Sequence, residues 1–458
     1  MPATTSLNVI ILAAGQGTRM KSALPKVLHP LGGRPLLGHV IQAAKQLKPA
    51  KLIVVYGHGG RQVMETINDP DIHWAEQKEQ KGTGHAVDQA MGHVDDESTV
   101  LVLYGDVPLI ETDTLSQLVY EAGGENLALL TVHLDDPTGY GRIARNEHGK
   151  VKYIVEQKDA DSHELTIKES NTGILAVNGG KLRNWLGQLE NNNAQGEYYL
   201  TDIIAMAVRD GVDVRTSHPE TEAEVEGINS RSQLAKMERV YQRQQAEALM
   251  ASGVTIIDPA RFEVRGEVEV GRDITIDVNV ILEGKVRIGD NVTIGANCVI
   301  TNSEIAAGVE IRPMCVIENA KVGSGCIIGP YSRLRPGADL AGDNHIGNFV
   351  EIKNSNIGLG SKVNHLTYIG DTDMGSGVNI GAGTITANYD GANKHRTTIE
   401  DNASTGSNSV LIAPVKVGKG ATLGAGTILR KDAPEGELTL ITTKQKTIPG
   451  WKRPKKTK

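Results

Sequence analysis

A branched aliphatic residue recurs at every sixth position in the second half of the chain, and this repeat limits the possible folds more than any other feature. Between Val322 and Ile352 it is unbroken; its residues are Val322, Ile328, Leu334, Leu340, Ile346 and Ile352. The same spacing begins at Val270 and, with one-residue slips, continues to Leu429. A period of six fits neither a helix of about 3.6 residues per turn nor the alternation of a strand. It predicts a parallel β-helix of hexapeptide repeats, each a short strand followed by a turn.

The fifth residue of the hexapeptide tests this interpretation. In three repeats it is Cys298, Cys315 and Cys326, which are all the cysteines of the chain. An unpaired thiol inside a protein packs like a small hydrophobic group. We therefore expect the three cysteines to be internal and free, which argues against a disulfide framework or a cysteine metal site.

Charge and hydropathy exclude several classes of protein. The net charge of −7 argues against a protein that coats nucleic acid. No apolar run approaches the roughly 20 residues of a membrane helix, and residues 1–7 lack the basic segment of a secretory signal. We therefore expect a cytoplasmic protein without a membrane span. The basic tail Trp451–Lys458 is an exception to the net negative charge of the chain. It is either a solvated, frayed terminus or a segment that faces an anion.

The first half of the chain alternates apolar runs with helical patterns. The runs, which predict buried parallel strands, are Asn8–Leu12, Leu52–Tyr56, Val100–Leu103 and Leu127–Val132. The helical patterns are Leu36–Leu47, His85–Met91 and Leu115–Ala122. Such alternation predicts an α/β domain with a parallel sheet covered by helices on both faces. Its ligand is expected at the carboxyl ends of the strands.

Two motifs stand at those strand ends. The first strand is followed by Leu12–Met20, LAAGQGTRM, whose small residues allow a phosphate to approach the backbone while Arg19 adds positive charge; Lys26 follows closely. The third strand ends in Tyr104-Gly105-Asp106, where a carboxylate opposite a phosphate loop suits Mg²⁺. An aspartate there also has a plainer interpretation as a turn former.

These motifs together resemble a known family. LAAGQGTRM, LPKVL, GTGHA and YGD are similar to motifs of the sugar-nucleotide nucleotidyltransferases. The segments NNNAQGEYYLTD and EVEGIN, followed by the hexapeptide array, narrow the likeness. From Leu12 to about Leu429 the chain resembles the bacterial bifunctional N-acetylglucosamine-1-phosphate uridylyltransferase / glucosamine-1-phosphate N-acetyltransferases. The resemblance implies a Rossmann-like nucleotidyltransferase domain followed by a left-handed parallel β-helix, in a homotrimer.

For the first domain, the resemblance implies uridylyl transfer from UTP to N-acetylglucosamine-1-phosphate. The residues implied to bind nucleotide or sugar are Leu12, Ala13, Ala14, Gly15, Arg19, Lys26, Gln77, Gly82, Thr83, Tyr104, Gly105, Asp106, Gly141, Glu156, Asn171 and Asn229. Among them, Gln77 with the Gly82-Thr83 pair would recognise uracil, and Asp106 with Asn229 would ligate Mg²⁺.

For the second domain, it implies acetyl transfer from acetyl-CoA to glucosamine-1-phosphate. The six-residue frame fails between Ile380 and Ile399, which predicts an inserted loop. His365 would be the general base. The residues implied to bind the sugar phosphate are Arg335, Lys353, Tyr368 and Asn379, and those implied to bind acetyl-CoA are Ala382, Asn388, Tyr389, Ser407 and Ala425.

The sequence departs from the family at two positions. Residue 387 is Ala where some members have Cys, so thiol-directed inactivation is not expected here. Thr442 stands where some members have an arginine that meets the phosphate of coenzyme A; Lys444 or the basic tail would have to replace it.

The expected domains are residues 1–229 for uridylyl transfer, 230–252 as a linker helix, and 253–458 as the acetyltransferase β-helix with the basic tail. Ser230 and Gln233 predict a capping box at the start of the linker helix. Two other functions are alternatives to this interpretation: a single-activity nucleotidyltransferase whose β-helix only assembles or regulates, and a non-catalytic assembly subunit. His365 and the inserted loop argue against the first, and intact Lys26, Asp106 and Asn229 against the second.

Overall fold

The computed structural model describes residues 6–57, 59–442, 444–454 and 456. Two compact units, Met1–Tyr241 and Gln242–Lys458, make up the chain. Lys455 and Lys458 of the basic tail lie outside the described residues, whereas Lys452, Arg453 and Lys456 are described and exposed. No helix of the described residues is long and apolar enough to cross a membrane.

The N-terminal unit alternates strands and helices in its first part. Its principal strands are β1 (Leu7–Ala13), β2 (Lys51–Tyr56), β3 (Ile72–Glu76), β4 (Thr99–Tyr104), β5 (Leu127–His133), β6 (Arg142–Arg145), β7 (Val151–Val155), β8 (Glu169–Asn178) and β9 (Val214–Ser217). Its helices are α1 (Leu36–Gln46), α2 (Gly60–Ile67), α3 (Thr83–Ala90), α4 (Thr112–Ala122), α5 (Gly179–Leu186) and α6 (Asp202–Arg209). A short hairpin joins Pro30–Leu31 to Arg34–Pro35.

The sheet has the order β9-β5-β8-β4-β1-β2-β3, with β6 and β7 as an appended antiparallel pair. The four predicted strands are present, and β1 pairs in parallel with both β2 and β4. These four strands run parallel to one another, as predicted, but the sheet as a whole is mixed, because β8 runs antiparallel between β4 and β5. Only Ile174–Val177 of β8 is a continuous apolar run, and a register shift between Asn171 and Leu175 interrupts its pairing with β5.

The central strands are buried on both faces. On β1, Val9 and Ile11 pack into one apolar cluster, whereas Ile10 and Leu12 pack into a second. Such two-sided burial is the reason for the continuous apolar run of this strand. It leaves the carboxyl ends of the strands, where the glycine loop and Asp106 follow, as the accessible edge.

Helix α7 (Arg231–Ala251) lies where the sequence predicts a linker helix. Ser230 caps it, since its hydroxyl accepts a hydrogen bond from the Gln233 amide at 3.2 Å. The capping box is displaced by one residue, because Gln233 Oε1 accepts from the backbone N–H of Asn229, at 3.0 Å, as well as from the Ser230 hydroxyl. The capping interaction therefore also fixes the backbone of Asn229, a predicted metal ligand.

The C-terminal unit is a solenoid of short parallel strands. One sheet forms a face of it from the strands Thr255–Ile256, Thr275–Ile276, Thr293–Ile294, Glu310–Ile311, Ile327–Ile328, His345–Asn348, Lys362–His365, Asn379–Ile380, Ser404–Thr405, Thr422–Leu423 and Leu438–Thr439. A second sheet bends around a corner to form the other two faces. Its strands are Phe262–Val270, Val280–Ile288, Val299–Thr301, Glu304–Ile305, Val316–Glu318, Lys321–Val322, Arg333–Leu334, Ala338–Leu340, Glu351–Lys353, Ser355–Ile357, Tyr368–Gly370, Thr372–Met374, Ile385–Ala387, Thr397–Ile399, Val410–Ile412, Val415–Val417 and Ile428–Leu429.

The six-residue repeat marks the interior of this solenoid. From Val322 to Ile352 every repeat residue is at most 3% exposed. Val270, where the repeat begins, is only partly buried. Cys298, Cys315 and Cys326 are free and buried, as predicted. The interior is therefore one continuous apolar column, filled in part by small residues at the fifth position.

The predicted insertion is present as well. Hydrogen-bonded partners on neighbouring coils are typically 17 or 18 residues apart in sequence. Ser376 and its partner Asp401 are 25 residues apart. The extra residues form a loop between the strands Ile385–Ala387 and Thr397–Ile399, closed by a bridge between Tyr389 and Lys394. We call residues 388–396 the inserted loop.

Candidate functional site

A cavity of about 320 Å³ opens at the carboxyl ends of β1 and β4 in the N-terminal unit. It is lined by Leu12, Ala13, Ala14, Gly15, Lys26, Val27, Gln77, Gln80, Gly82, Thr83, Ala86, Tyr104, Asp106 and Glu197. Most of the residues that the family resemblance implies for the nucleotide are in this set. Four others, Val27, Gln80, Ala86 and Glu197, were not predicted, although Gln80 lies between two predicted residues and Glu197 lies in the NNNAQGEYYLTD motif.

Of the predicted residues outside this set, Arg19 and Gly105 belong to the two motifs at the strand ends. Arg19 is exposed on the short helix Thr18–Met20 and does not line the cavity. Gly105 lies close behind the glycine loop, because its N–H donates to the carbonyl of Leu12 at 2.9 Å. A side chain there would approach that carbonyl to 3.3 Å, so the small residue lets the strand ends lie close together.

Lys26 joins the two predicted metal ligands. Its ammonium donates to Asp106 Oδ2 at 2.5 Å and to Asn229 Oδ1 at 3.0 Å. The Lys26 and Asp106 side chains are only 12% and 14% exposed. A carboxylate oxygen and an amide oxygen thus converge on one positive charge at the edge of the cavity. Oxygen donors of this kind are those that Mg²⁺ or Mn²⁺ prefers, so the residues fit a divalent cation.

Gln77 is the most buried polar residue of the cavity wall, at 4% exposure. Its backbone N–H donates to the Tyr56 carbonyl at 2.8 Å, at the end of β2. Gly82 has a φ of 109°, and a side chain there would meet the Tyr198 carbonyl at 2.6 Å. Thr83 Oγ1 accepts from the Leu200 amide at 3.1 Å, so this part of the wall is fixed to the segment around residue 200.

A second group of predicted residues surrounds Glu156. Burial raises the pKa of Glu156, against the effect of a hydrogen bond from the Thr201 hydroxyl. A side chain at Gly141 would lie 3.5 Å from the Glu156 carboxylate, and the Gly141 carbonyl accepts from the Asn171 amide at 2.8 Å. Burial also raises the pKa of Tyr104, with the charge of Glu156 as the next cause. Tyr104 therefore lines the cavity and is also close enough to Glu156 for the charge of that carboxylate to affect it.

In the solenoid, four predicted residues occupy the same place on successive coils. His365, Ala382, Ser407 and Ala425 each precede a corner residue with positive φ: Leu366 (52°), Gly383 (76°), Asn408 (57°) and Gly426 (72°). Backbone hydrogen bonds connect neighbouring coils there, from Gly383 to His365 at 3.1 Å, from Asn408 to Ala382 at 2.7 Å, and from Gly426 to Ser407 at 2.8 Å. The predicted base and three of the five predicted acetyl-CoA residues thus form one column along a corner of the unit, whereas Asn388 and Tyr389 lie in the inserted loop.

His365 ends its strand and is exposed. Its Nδ1 lies 3.0 Å from Asn348 Oδ1, one coil earlier. Because an amide oxygen only accepts, this contact places the ring proton on Nδ1. The Nε2 lone pair is then left to accept a proton, as a general base requires.

Cations and polar groups gather on the neighbouring face. Arg335 donates to Glu351 at 2.7 Å. The ammonium of Lys394, in the inserted loop, lowers the pKa of the Lys353 ammonium, since two positive charges lie side by side. Asn388 donates to Asp371 at 2.5 Å and to the Tyr368 hydroxyl at 3.4 Å. Lys394 and Asp371 were not predicted as site residues, although the inserted loop that carries Lys394 was.

The same corner carries an unusual run of large side chains. Met314, Tyr331, Phe349 and Leu366 all have positive φ, between 52° and 65°. They are 43% to 64% exposed, and the rings of Tyr331 and Phe349 stack with centroids 5.3 Å apart. Elsewhere in the described solenoid the positive-φ residues are Asn, Asp or Gly. We call these four residues the apolar corner.

Comparison with known proteins agrees with this division into two sites. Residues 9–160 match the family model of the MobA-like NTP transferase domain, residues 264–344 that of the GMPPB C-terminal domain, and residues 396–431 that of the bacterial transferase hexapeptide (six repeats). A protein of Ralstonia pickettii (strain 12J), named "Bifunctional protein GlmU", is 59% identical over 452 residues, covering 99% of both chains. The chain belongs to the GlmU family.

Two further GlmU proteins match over the same length. One from Janthinobacterium sp. (strain Marseille) is 58% identical, and one from Acinetobacter baumannii (strain AYE) is 55% identical; each alignment covers 99% of this chain and 100% of the relative. This GlmU-family chain is a bifunctional enzyme that transfers uridylyl and acetyl groups, as the sequence predicted. The two alternatives, a single-activity enzyme and a non-catalytic subunit, are set aside. The family and the nucleotidyltransferase domain are consistent with small-molecule substrates and a divalent metal.

Proposed function

We propose that the C-terminal unit acetylates glucosamine-1-phosphate with acetyl-CoA, and that the N-terminal unit then couples the product to UTP with release of pyrophosphate. The product would be UDP-N-acetylglucosamine. The observation that carries this proposal is the convergence of Asp106 and Asn229 on Lys26, at the edge of a cavity lined by the glycine loop. The proposed domain limits are those expected from the sequence, with α7 as the linker.

In the uridylyl reaction a phosphate oxygen of the sugar phosphate attacks the α-phosphorus of UTP, and pyrophosphate leaves. The chain contributes positioning and charge rather than covalent chemistry. When bound by Asp106 and Asn229, Mg²⁺ would offset the negative charge of the reacting phosphates. Lys26 and Arg19 would add positive charge, Gln77 with Gly82 and Thr83 would hold uracil, and Gly141, Glu156 and Asn171 would hold the sugar and ribose.

In the acetyl reaction the amine of glucosamine-1-phosphate attacks the thioester carbon, and the thiolate of coenzyme A leaves. His365 Nε2 takes the proton that the amine loses, and the Nδ1 contact with Asn348 supports this role. Arg335 and Lys353 would bind the sugar phosphate, and the adjacent positive charge of Lys394 favours an anion there. Those proposed to orient the substrate are Tyr368 and Asn379; those proposed to contact acetyl-CoA are Ala382, Asn388, Tyr389, Ser407 and Ala425.

We also propose that the enzyme is a cytoplasmic homotrimer. The apolar corner supports self-association for two reasons. Holding the backbone of a residue other than glycine at positive φ costs about 1–2 kcal/mol, and the four large side chains leave apolar surface in water. A partner subunit would cover that surface. His365 precedes Leu366 of the apolar corner, so a partner there would adjoin the acetyl site.

The metal assignment is tested by Asp106→Asn. Pyrophosphate release should fall at least about 100-fold, because a neutral amide replaces the charged ligand, and Mg²⁺ binding measured by calorimetry should weaken. Acetyl transfer, followed by free-thiol release, should stay within about twofold. Asp113→Asn, in the first turn of α4, is the matched control and should change neither pyrophosphate release nor acetyl transfer. Unchanged pyrophosphate release in Asp106→Asn would contradict the assignment.

A further inference from the structure

The side-chain amide of Gln77 is held in a defined orientation. Its Nε2 lies 3.1 Å from the carbonyl oxygen of Gly82 and 3.1 Å from Nδ1 of His85. The Gly82 carbonyl can only accept a hydrogen bond, so the amide atom beside it must be the nitrogen. The reverse orientation would place two acceptor oxygens 3.1 Å apart.

Both hydrogens of that nitrogen are therefore committed to the protein. One is donated to Gly82 and the other to His85, which means that His85 accepts at Nδ1 and carries its ring proton on Nε2. Among the described residues, Gln77 Oε1 takes part in no hydrogen bond. Since Gln77 lines the cavity, its oxygen is the amide atom left for a ligand.

His85 is well placed to hold this orientation. It lies in the first turns of α3, whose N-terminal residue Thr83 is fixed by the Leu200 amide. Its ring borders a separate pocket of about 200 Å³. The pocket is lined by Lys81, Gly84, His85, Asp88, Leu186, Leu189 and Tyr198. His85 therefore supports Gln77 from behind and does not itself line the nucleotide cavity.

We propose that His85 is a positioning residue that sets the base specificity of the uridylyl site, by holding the Gln77 amide with its oxygen toward the base. This inference rests on the proposed assignment of Gln77 to uracil recognition. Uracil carries a hydrogen on N3, whereas N3 of cytosine is an acceptor. If the Gln77 oxygen faces the base, it accepts a hydrogen bond from N3–H of uracil but meets the N3 lone pair of cytosine. If the amide is flipped, its nitrogen donates to N3 of cytosine and meets N3–H of uracil.

The test compares kcat/KM for UTP and CTP in pyrophosphate release. His85→Phe keeps a ring beside Leu186 and Leu189 but removes the acceptor, so the amide can flip. We expect the UTP/CTP ratio to fall roughly tenfold, mainly through KM for UTP, with thiol release unchanged. His85→Asn should restore most of the ratio, because its side-chain oxygen stands as many bonds from Cα as Nδ1 does.

Gln77→Leu separates this inference from the assignment beneath it. If Gln77→Leu lowers the UTP/CTP ratio and His85→Phe does not, the positioning role is wrong while the uracil assignment stands. Equal losses in His85→Phe and His85→Asn would also overturn the positioning role, since the acceptor that His85→Asn retains would then make no difference. If Gln77→Leu leaves the ratio unchanged, the uracil assignment itself is wrong.

Discussion

Two carboxylates of the N-terminal unit have opposite surroundings. Asp106 lies against the ammonium of Lys26 at 2.5 Å. Glu156 is partly buried near two other carboxylates, Asp202 and Asp159, and among the described residues its carboxylate receives a neutral hydrogen bond from Thr201. The pKa of Glu156 is therefore raised by burial. Its ionised form therefore costs free energy in the folded unit.

Glu156→Gln should therefore change stability in a pH-dependent way. Because the folded-state pKa is raised, the folded protein binds more protons than the unfolded chain between the two pKa values, and stability falls as pH rises through that window. The variant lacks this loss. Its melting temperature should exceed that of the wild type at pH 8, and the gap should close below the ordinary glutamate pKa of about 4.3. An equal gap at pH 4 and pH 8 would contradict this; exposed Glu147→Gln is the control.

Individual site residues were predictable to unequal degrees. Lys26 and Asp106 belong to motifs that carry their chemistry in the local sequence. Lys394 belongs to no such motif, because its relevance depends on where the fold brings the inserted loop. Lys394 of the inserted loop lies beside Lys353, which belongs to a strand two coils earlier in the solenoid. The Gln77–His85 contact was also missed, since a motif does not reveal the direction of an amide.

Most solenoid strands alternate between a buried side chain and a more exposed neighbour. In the strand Thr293–Ile294 the isoleucine is fully buried and the threonine is exposed. Its coil packs on the coils before and after it through parallel pairing. The inward residue therefore contributes to a column shared by consecutive coils rather than to a local core.

Ile294→Ala should destabilise the C-terminal unit by about 2–5 kcal/mol, because it leaves a cavity that the stacked coils cannot close. Thr293→Ala, in the same strand, should change stability by less than about 0.5 kcal/mol. Urea unfolding followed by circular dichroism measures both. Similar losses in the two variants would contradict the assignment of inward and outward positions.

The elements themselves were predictable where one period dominates. The six-residue repeat fixed the solenoid because each repeat residue meets the same environment. In the N-terminal unit the apolar runs gave β1, β2, β4 and β5 nearly to their ends. They did not give β8, whose first half is polar and whose pairing is interrupted near Gly173.

At the scale of the whole molecule, the apolar corner should control assembly. Phe349→Asp would put a charge in the proposed interface, so we expect sedimentation equilibrium to detect monomers. Acetyl transfer should fall with it, and pyrophosphate release should stay within about twofold. Leu359→Asp is the matched control. Leu359 is 54% exposed, but it lies between the strands Ser355–Ile357 and Lys362–His365 and is not part of the apolar corner. A Phe349→Asp protein that remains trimeric would contradict the role of this corner.

His365→Ala tests whether acetyl and uridylyl transfer take place at separate active sites of one chain. Thiol release and pyrophosphate release are measured on the same preparation, with His345→Ala, one coil earlier on the same face, as the control. Thiol release should fall about 10²- to 10⁴-fold while pyrophosphate release stays within about twofold, since the role proposed for His365 is confined to acetyl transfer. Thiol release near the wild-type level would contradict the account, as would a joint loss of both activities in a protein that melts like the wild type.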